Sequence, residues 1–161
     1  MSAAKDTAVI ILAAGKGTRM RSELAKVLHR AGGRTLLEHV IRACQPLKPA
    51  QMVVVVGHQA KEVAAVAESL GAQAVVQQPQ RGTGHAVQVA RRAIRKGAKL
   101  ALVLPGDAPL LQTATLAALL DTHRQGEAAA TLLSAELDDH LEDEAAEGAR
   151  TGATAIRRRR C

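Results

Sequence analysis

Short apolar runs alternate with amphipathic stretches along most of the chain. The runs AVIILAA, MVVVVG and LALVLPGD are rich in Val, Ile and Leu and have few polar interruptions. Strands have this pattern when both faces of a sheet are covered, because no position then has to face water. With two further runs, QAVVQ and AATLLSAEL, the pattern predicts five strands.

Between the strands, apolar residues recur at helical spacing. The spacing predicts helices over residues 61–70, 85–96 and 116–124, with Gly71 and Gly97 closing the first two. An alternation of strands and helices is typical of an α/β fold, in which a mainly parallel sheet carries helices on both faces. The pattern predicts that the sheet ends after Leu137. From His140 onward the chain contains an acidic helix-like piece, small residues and an arginine block, and the pattern predicts no further strand–helix unit.

Ligands of such sheets bind at the carboxyl ends of the strands. This rule selects four loops, those that follow Ala14, Val56, Val76 and Leu104. Their sequences include GKGTR, GHQA, QQPQRGTG and PGDAPLL, in that order. We therefore expect the chemistry of the protein to lie in these four loops.

Composition narrows the classes of function. The 161 residues fit one domain with a sizeable core, and 47% of them are hydrophobic, although Phe, Trp and Tyr are absent. Without an aromatic ring on which bases could stack, single-stranded nucleic acid is a poor fit. The net charge is +7, but four of these charges are those of Arg157 to Arg160, so we expect no nucleic-acid partner.

The cysteines and the first apolar run bear on the cellular compartment. Cys44 and Cys161 form neither a disulfide framework nor a metal-binding spacing, which is typical of a reduced protein. The run over residues 8–14 is too short to span a membrane, and Asp6 before it is unlike a signal peptide. We therefore expect a cytoplasmic protein without a membrane partner.

The loop after Ala14 combines glycines with basic residues. Gly15 and Gly17 let the backbone approach a ligand, and successive N–H groups in such a turn can bind an anion. Positive charge nearby comes from three basic side chains, those of Lys16, Arg19 and Lys26. The loop lacks the Walker spacing, and Met20 stands where the dinucleotide fingerprint needs a glycine. A phosphate-binding loop and an ordinary strand-to-helix turn both remain open.

The loop QQPQRGTG offers amide side chains and two glycines just before a predicted helix. Backbone donors at a helix start suit an anion or the edge of a nucleobase. Gln77, Gln78 and Gln80 carry both donors and acceptors. A flexible loop with a helix cap at Thr83 explains the same residues. His85 is not informative by itself.

The run LALVLPGD brings an acidic residue, Asp107, to the carboxyl end of a buried strand. A carboxylate in that place is either paired or binds a cation. Mg²⁺ is commonly held by one or two carboxylates and by substrate phosphates, so a phosphate loop on the neighbouring strand would make Mg²⁺ the natural candidate. Asp107 could instead cap the turn that follows at Ala108 and Pro109.

Several of these motifs occur together in one known family. The segments LAAGKGTRM, LAKVLH, LLEHVI, QRGTGHAV and GDAPLL appear in this order within residues 7–139. In this the chain resembles the uridylyltransferase (pyrophosphorylase) domain of the bacterial bifunctional N-acetylglucosamine-1-phosphate uridyltransferase/glucosamine-1-phosphate acetyltransferases. The first motif is shared by nucleotidyltransferases generally, whereas the Gly-Thr-Gly-His-Ala loop points more narrowly to the sugar uridylyltransferases.

The resemblance implies a three-layer, Rossmann-like nucleotidyltransferase fold of the glycosyltransferase-A type, with a mainly parallel sheet that is truncated here. It also implies that Arg19 and Lys26 face the phosphates as catalytic residues and that Asp107 binds Mg²⁺. Lys26 would contact the nucleotide as well. The other nucleotide-binding residues that it implies are Leu12, Ala13, Ala14, Gly15, Gln77, Gly82, Thr83, Pro105 and Gly106.

The activity implied is attack of a sugar 1-phosphate oxygen on the α-phosphate of UTP, which releases pyrophosphate. The partners would be UTP and N-acetylglucosamine 1-phosphate, and the product UDP-N-acetylglucosamine. Two alternatives remain open. One is a non-catalytic nucleotide-binding module, and the other is a different nucleotidyltransferase that makes the guanylylated molybdenum cofactor or a cytidylylated isoprenoid precursor.

Three departures from the family pattern lead to further expectations. Ala25 and Pro105 stand where the family usually has Pro and Tyr. The family's sugar-binding Glu and Asn and a second metal-binding Asn follow the matched region, and this chain contains no Asn. We therefore expect residues 1–139 to be the nucleotide-binding part of the domain and 140–161 to be an atypical, poorly ordered tail. An incomplete site with little turnover and an open sheet edge that allows self-association would follow.

Overall fold

A computed structural model of the protein describes residues 4–17, 20, 22–126, 128–136 and 150–156. The backbone divides into two compact units, Met1–Thr113 and Ala114–Cys161. The described residues of the first unit form a four-stranded sheet, a small hairpin and three α-helices. Those of the second unit contain most of a further α-helix and a separate two-stranded sheet.

In chain order, the first unit contains β1 (Thr7–Ala13), β2 (Arg30–Ala31), β3 (Arg34–Thr35), α1 (Leu36–Cys44), β4 (Gln51–Val56), α2 (Ala60–Ser69), β5 (Gln73–Val76), α3 (Gly82–Ala93) and β6 (Leu100–Pro105). Short 3₁₀ helices occupy Lys26–Leu28 and Gln45–Leu47. Helix α4 (Thr113–Gln125) leads into the second unit, in which β7 (Ala130–Glu136) pairs with β8 (Arg150–Ile156) in the antiparallel sense.

The four-stranded sheet has the order β5-β4-β1-β6, and all its pairs are parallel. The chain therefore runs outward from β1 to β4 and β5 and then returns to place β6 on the other side of β1. In open parallel sheets, ligands bind where the strand order reverses in this way. The carboxyl ends of β1 and β6 meet at this switch point, with Leu12 opposite Pro105.

Helices cover both faces of the sheet at its central strands, β1 and β4, whereas alternate residues of β6, Ala101 and Val103, are exposed. On one face α3 packs against β1 and β4. The buried residues of this contact are Ile10, Ala14, Val53, Val55, Ala86 and Ala90. Alternate strand residues such as Ile11 and Val54 are also fully buried, and α1 and α2 contact these strands. Three layers of helix, sheet and helix confirm the predicted α/β fold with a mainly parallel sheet.

The five predicted strands correspond to β1, β4, β5, β6 and β7, and the three predicted helices to α2, α3 and α4. Helix α3 begins at Gly82, earlier than the predicted start at His85. Thr83 therefore lies within the first turn of α3 and does not cap it. The division of the chain at Asp139 stays a prediction.

The sequence does not predict α1, the β2–β3 hairpin or β8. The hairpin strands have two residues each, which is too short for a periodic pattern. Strand β8 has the sequence RTGATAI, whose small and polar residues carry little strand signal, and its state depends on pairing with β7. Within the described ranges, every helix is too short or too polar to cross a membrane.

Helix α1 begins with a reciprocal pair of hydrogen bonds. The Glu38 backbone N–H donates to Thr35 Oγ1 at 3.1 Å, and the Thr35 backbone N–H donates to the Glu38 carboxylate at 2.7 Å. These bonds satisfy N–H groups that have no partner within the helix. The bond from the Thr35 N–H stabilises the charged carboxylate and so lowers the pKa of Glu38 below its ordinary value.

We expect Thr35→Ala to lower the free energy of unfolding by about 1 kcal/mol, because it removes the side-chain acceptor of the cap. Urea denaturation at pH 7 measures this loss. Thr122→Ala, in α4, is the matched control and should change stability by no more than about 0.5 kcal/mol. Wild-type stability of the Thr35 variant would contradict the cap.

The lowered pKa of Glu38 gives this cap a pH dependence. A carboxylate whose pKa falls on folding stabilises the protein at neutral pH, and the contribution is lost as the pH drops through the lowered pKa. Glu38→Gln should therefore be less stable than the wild type at pH 7 and converge with it in acid. A difference that persists in acid would contradict the assignment.

Candidate functional site

A recess opens at the switch point of the four-stranded sheet, beside the carboxyl ends of β1 and β6. Its volume is about 390 Å³, which is within the range of small-molecule sites. The residues that line it are Leu12, Ala13, Gly15, Gly17, Met20, Lys26, Val27 and Asp107. This first recess therefore joins the glycine loop, a lysine and the aspartate that follows β6.

Lys26 and Asp107 form an ion pair in the first recess. The Lys26 Nζ lies 2.6 Å from Asp107 Oδ2, and the two side chains are 41% and 31% exposed. A pair with this much contact with water contributes only about 0–1 kcal/mol. The recess thus contains an ammonium group and a carboxylate that attract each other only weakly. A phosphate can replace Asp107 as the partner of Lys26, and a metal ion can replace Lys26 as the partner of Asp107.

The glycine loop rests on the residue that carries the cation. Gly17 has φ = +65°, a left-handed conformation that favours glycine, and a Cβ there would lie 2.7 Å from the Lys26 Cβ. Gly15 is exposed, and a Cβ there would meet nothing within 4 Å. Gly17 is therefore needed for the loop to approach Lys26, whereas Gly15 leaves the backbone open toward a ligand.

A second recess adjoins the first, because Leu12 and Gly15 line both. Its volume is about 310 Å³. Its other lining residues come from the end of β1, the loop after β5 and the start of α3: Ala14, Gln77, Gln80, Gly82, Thr83 and Ala86. The two recesses together form one continuous edge along the carboxyl ends of the strands.

The amide of Gln77 has a fixed orientation in the second recess. Gln77 is only 4% exposed, and its Nε2 donates to the Gly82 carbonyl at 3.0 Å and lies 3.1 Å from His85 Nδ1. Because a carbonyl can only accept, the NH₂ group must face Gly82, and His85 Nδ1 is then an acceptor. Among the described residues, none donates a hydrogen bond to Gln77 Oε1, which is left to accept from a ligand.

The turn after β4 joins the loops around both recesses. The His58 backbone N–H donates to the Ala14 carbonyl at 3.2 Å. A Cβ at Gly57 would lie 2.9 Å from the same carbonyl oxygen and would collide with the Gln80 side chain. Sequence reasoning selects GHQA only by its place at a strand end and assigns these residues no role, because no local pattern shows such contacts.

Gly106, directly after β6, packs closely against β1. Its N–H donates to the Leu12 carbonyl at 2.9 Å, and a Cβ there would meet that oxygen at 2.9 Å and Val27 Cγ1 at 3.2 Å. Pro105 before it is exposed at the end of an edge strand, where a missing N–H is tolerated. Neither residue is among those that line the two recesses. Their predicted contacts with the nucleotide stay predictions.

Most of the predicted site residues therefore lie at the two recesses. The first receives Ala13, Lys26 and Asp107, the second receives Ala14, Gln77, Gly82 and Thr83, and Leu12 and Gly15 line both. Arg19 lies outside the described residues, so its contact with the phosphates stays a prediction. Burial raises the pKa of the Cys44 thiol to about 12, so Cys44 is not a nucleophile at neutral pH.

The donors at the first recess suit one kind of metal site. Within the described residues, no group of three or more His, Cys, Asp or Glu side chains could hold an ion by itself. Asp107 is a single, partly exposed carboxylate beside a recess. This fits a hard cation such as Mg²⁺, which keeps several waters and takes other ligands from substrate phosphates.

A parallel sheet with a glycine loop, a lysine and an aspartate at its switch point defines an α/β domain of the nucleotidyltransferase type. Comparison with known families agrees with this class. Residues 9–143 match the MobA-like NTP transferase domain, and the chain belongs to this family.

Relatives in sequence and in structure are consistent with this family. The bifunctional protein GlmU of Synechococcus sp. (strain CC9311) is 50% identical over 133 residues, which are 82% of this chain and 29% of that protein. The predicted resemblance to the uridyltransferase part of such proteins is confirmed. The chain spans less than a third of the length of these curated relatives.

Two solved structures of one mycobacterial protein are similar to this chain. Rv0371c from Mycobacterium tuberculosis H37Rv is similar with a TM-score of 0.66 and 25% identity, over 83% of this chain and 66% of that one. Its complex with manganese has a TM-score of 0.63 at 23% identity, over 79% and 62% of the two chains. The second likeness shows the fold alone.

We expect Gly106→Ala to lower the free energy of unfolding by about 1–3 kcal/mol, because the added methyl group meets the Leu12 carbonyl of the neighbouring strand. Urea denaturation measures the change. Gly84→Ala is the matched control, since a Cβ there meets nothing within 4 Å and alanine favours the helix by about 0.5–1 kcal/mol. If both variants were equally stable, the close approach at Gly106 would be refuted.

Proposed function

We propose that this chain is the nucleotide-binding part of a sugar-nucleotide uridylyltransferase. The reaction joins UTP and N-acetylglucosamine 1-phosphate into UDP-N-acetylglucosamine and releases pyrophosphate. One observation carries the proposal: a charged recess with Lys26 and Asp107 adjoins a recess with a buried, oriented amide, and Leu12 and Gly15 line both. A nucleoside triphosphate needs these two environments side by side.

The second recess takes the base in this proposal. Uracil presents an N–H between two carbonyl oxygens along its pairing edge. Gln77 Oε1 accepts from that N–H, and backbone N–H groups near Gly82 and Thr83 donate to a carbonyl of the ring. This assignment is supported by the bonds that turn the Gln77 amide nitrogen toward Gly82 and His85 and leave its oxygen unused.

The first recess takes the phosphates. Lys26 turns from Asp107 to the phosphate oxygens, Arg19 adds a second cation, and the backbone around Gly15 supplies N–H donors. A phosphate oxygen of the sugar 1-phosphate attacks the α-phosphorus of UTP, and the bond to the bridging oxygen breaks so that pyrophosphate leaves with the electron pair. Such a reaction needs orientation and charge neutralisation and no covalent nucleophile from the protein.

Asp107 is the protein ligand of a divalent cation in this proposal, with Mg²⁺ as the ion. The partly exposed carboxylate that lines the first recess supports this role. When bound, the ion neutralises phosphate charge and holds the triphosphate in one geometry. Asp107 would hold the ion, and the Lys26 ammonium would then be free to contact a phosphate.

A nucleotidyltransferase that acts on another base is the second candidate. The family match is compatible with it, because the description of the MobA-like NTP transferase domain names no particular base. A guanylyltransferase or cytidylyltransferase would bind the phosphates in the first recess in the same way, but its second recess would recognise guanine or cytosine. Binding of UTP, CTP and GTP, compared by calorimetry, separates these candidates, and we expect UTP to bind most tightly.

We expect Asp107→Asn to abolish most of the magnesium dependence of UTP binding, with a loss of roughly tenfold or more in affinity when Mg²⁺ is present. Without Mg²⁺, affinity should be unchanged or higher, because Lys26 is freed from its partner. Isothermal titration calorimetry in magnesium and in EDTA measures both. Asp121→Asn, at an exposed ion pair of α4, is the control. An unaltered magnesium dependence would remove Asp107 from the metal site.

We expect binding and turnover to separate in this 161-residue chain. The resemblance requires Asn side chains on the sugar side, and the chain contains none. Loss of substrate orientation can remove roughly 7–11 kcal/mol of rate advantage, so pyrophosphate release should be slight although UTP binds. A coupled pyrophosphate assay on monodisperse protein, beside an intact GlmU protein, measures this. Comparable rates would contradict the expected incompleteness, and absence of UTP binding would contradict the proposed function itself.

A further inference from the structure

The turn between β4 and α2 contains a residue in an unfavourable backbone conformation. Gln59 has φ = 47° and ψ = 48°, the left-handed region that residues other than glycine rarely adopt. Such a conformation persists only where the surrounding structure holds it, and it is concentrated at functional sites. Gln59 is also the residue before the first turn of α2, and its carbonyl accepts from the Val63 N–H at 3.1 Å.

The side chain of Gln59 reaches a distant part of the chain. Its Oε1 accepts a hydrogen bond of 2.6 Å from the backbone N–H of Ala25, which lies 34 residues earlier. Ala25 is fully buried, so this N–H would have no access to water if the bond were lost. The left-handed conformation of Gln59 and the bond to Ala25 are therefore parts of one arrangement.

Ala25 is the residue on which the position of Lys26 depends. It precedes the short 3₁₀ helix Lys26–Leu28, and no side-chain hydrogen bond caps that helix. Gly17 packs closely against the base of Lys26, since a Cβ at Gly17 would lie 2.7 Å from the Lys26 Cβ. The Lys26 ammonium is thus at the end of a flexible side chain, whereas the Cβ of Lys26 packs against Gly17 and its backbone follows directly on Ala25.

We propose that Gln59 is a positioning residue for Lys26, which binds the phosphates in the proposed function on which this step rests. The side-chain amide oxygen of Gln59, Oε1, accepts from the Ala25 N–H and so fixes the backbone from which Lys26 extends into the first recess. The same turn is bonded to the first loop through the His58 N–H and the Ala14 carbonyl, at 3.2 Å. Gln59 therefore keeps the Lys26 ammonium close to the loop after β1, which contacts the same phosphates.

The variant that tests this role is Gln59→Asn. Asparagine tolerates the left-handed conformation, but its side chain is one methylene shorter and cannot reach Ala25. We expect UTP affinity to fall roughly three- to tenfold, as for the loss of one buried hydrogen bond, and uridine affinity to change less than about twofold. Gln59→Glu keeps an acceptor at the same distance and should preserve the contact. Gln73→Asn, at an exposed position of β5, is the matched control.

A double-mutant cycle with Lys26→Ala separates positioning from general stability. If Gln59 acts through Lys26, Gln59→Asn should have almost no further effect on UTP affinity in the Lys26→Ala background. Additive losses in the double variant, or equal losses for UTP and uridine, would overturn the proposal. A Lys26→Ala variant that binds UTP as tightly as the wild type would instead contradict the role of Lys26 in the proposed function.

Amide hydrogen exchange at Ala25 tests the contact without any nucleotide. The N–H should exchange slowly in the wild type and in Gln59→Glu, and at least about tenfold faster in Gln59→Asn. Faster exchange confined to Ala25 and its neighbours supports the proposal whatever Lys26 is found to bind. Unaltered exchange at Ala25 would overturn it even if UTP binding were as expected.

Discussion

The parallel pairing of β1 with a strand on each side is the constraint on which both recesses depend. Its register with β4 and β6 brings Ala13, Val56 and Pro105 to the same edge of the sheet. The three loops that follow these residues must then lie side by side. Gly57 and Gly106 permit this, because a side chain at either would collide with a carbonyl oxygen of the first loop or of β1. Burial on both faces holds the strands in this register, since a slip would move large apolar side chains out of the core.

Rigid and adjustable groups are separated at this edge. The Gln77 amide is buried and held by Gly82 and His85, which suits recognition of a flat, uncharged ring. Lys26 and Asp107 are partly exposed and satisfied by each other until a charged ligand replaces one of them. Because both side chains reach water, their ion pair contributes only about 0–1 kcal/mol, and little free energy is lost when either one changes its partner. The Lys26 side chain is flexible, and Gln59 restricts its position by fixing the backbone at Ala25, the preceding residue.

Particular elements show how far local sequence can predict this fold. The five apolar runs are strands and the three periodic segments are helices, because burial on two faces or on one face leaves a direct trace in the order of apolar residues. The hairpin at residues 30–35 leaves no such trace because its strands are too short, and strand β8 leaves none because most of its side chains are small or polar. Both depend on hydrogen bonds to a partner strand. For the site, the sequence predicts that Asp107 lies at the end of a strand beside the first loop, whereas its ion pair with Lys26 is found only in the structure.

By itself, the sequence determined the class of fold, the strand ends at which chemistry is concentrated, and the family to which the chain belongs. Each of these depends on residues that are close in sequence: the spacing of apolar residues, glycines next to basic side chains, and motifs that directly follow a strand. The tertiary structure alone decided that Gln59 reaches Ala25, that Gly17 contacts Lys26, and that the Gln77 oxygen is the free end of its amide. These contacts join residues far apart in the chain or depend on backbone angles and side-chain rotation. Such features follow from how the loops pack once the sheet has formed, and neighbouring residues in sequence carry no record of them.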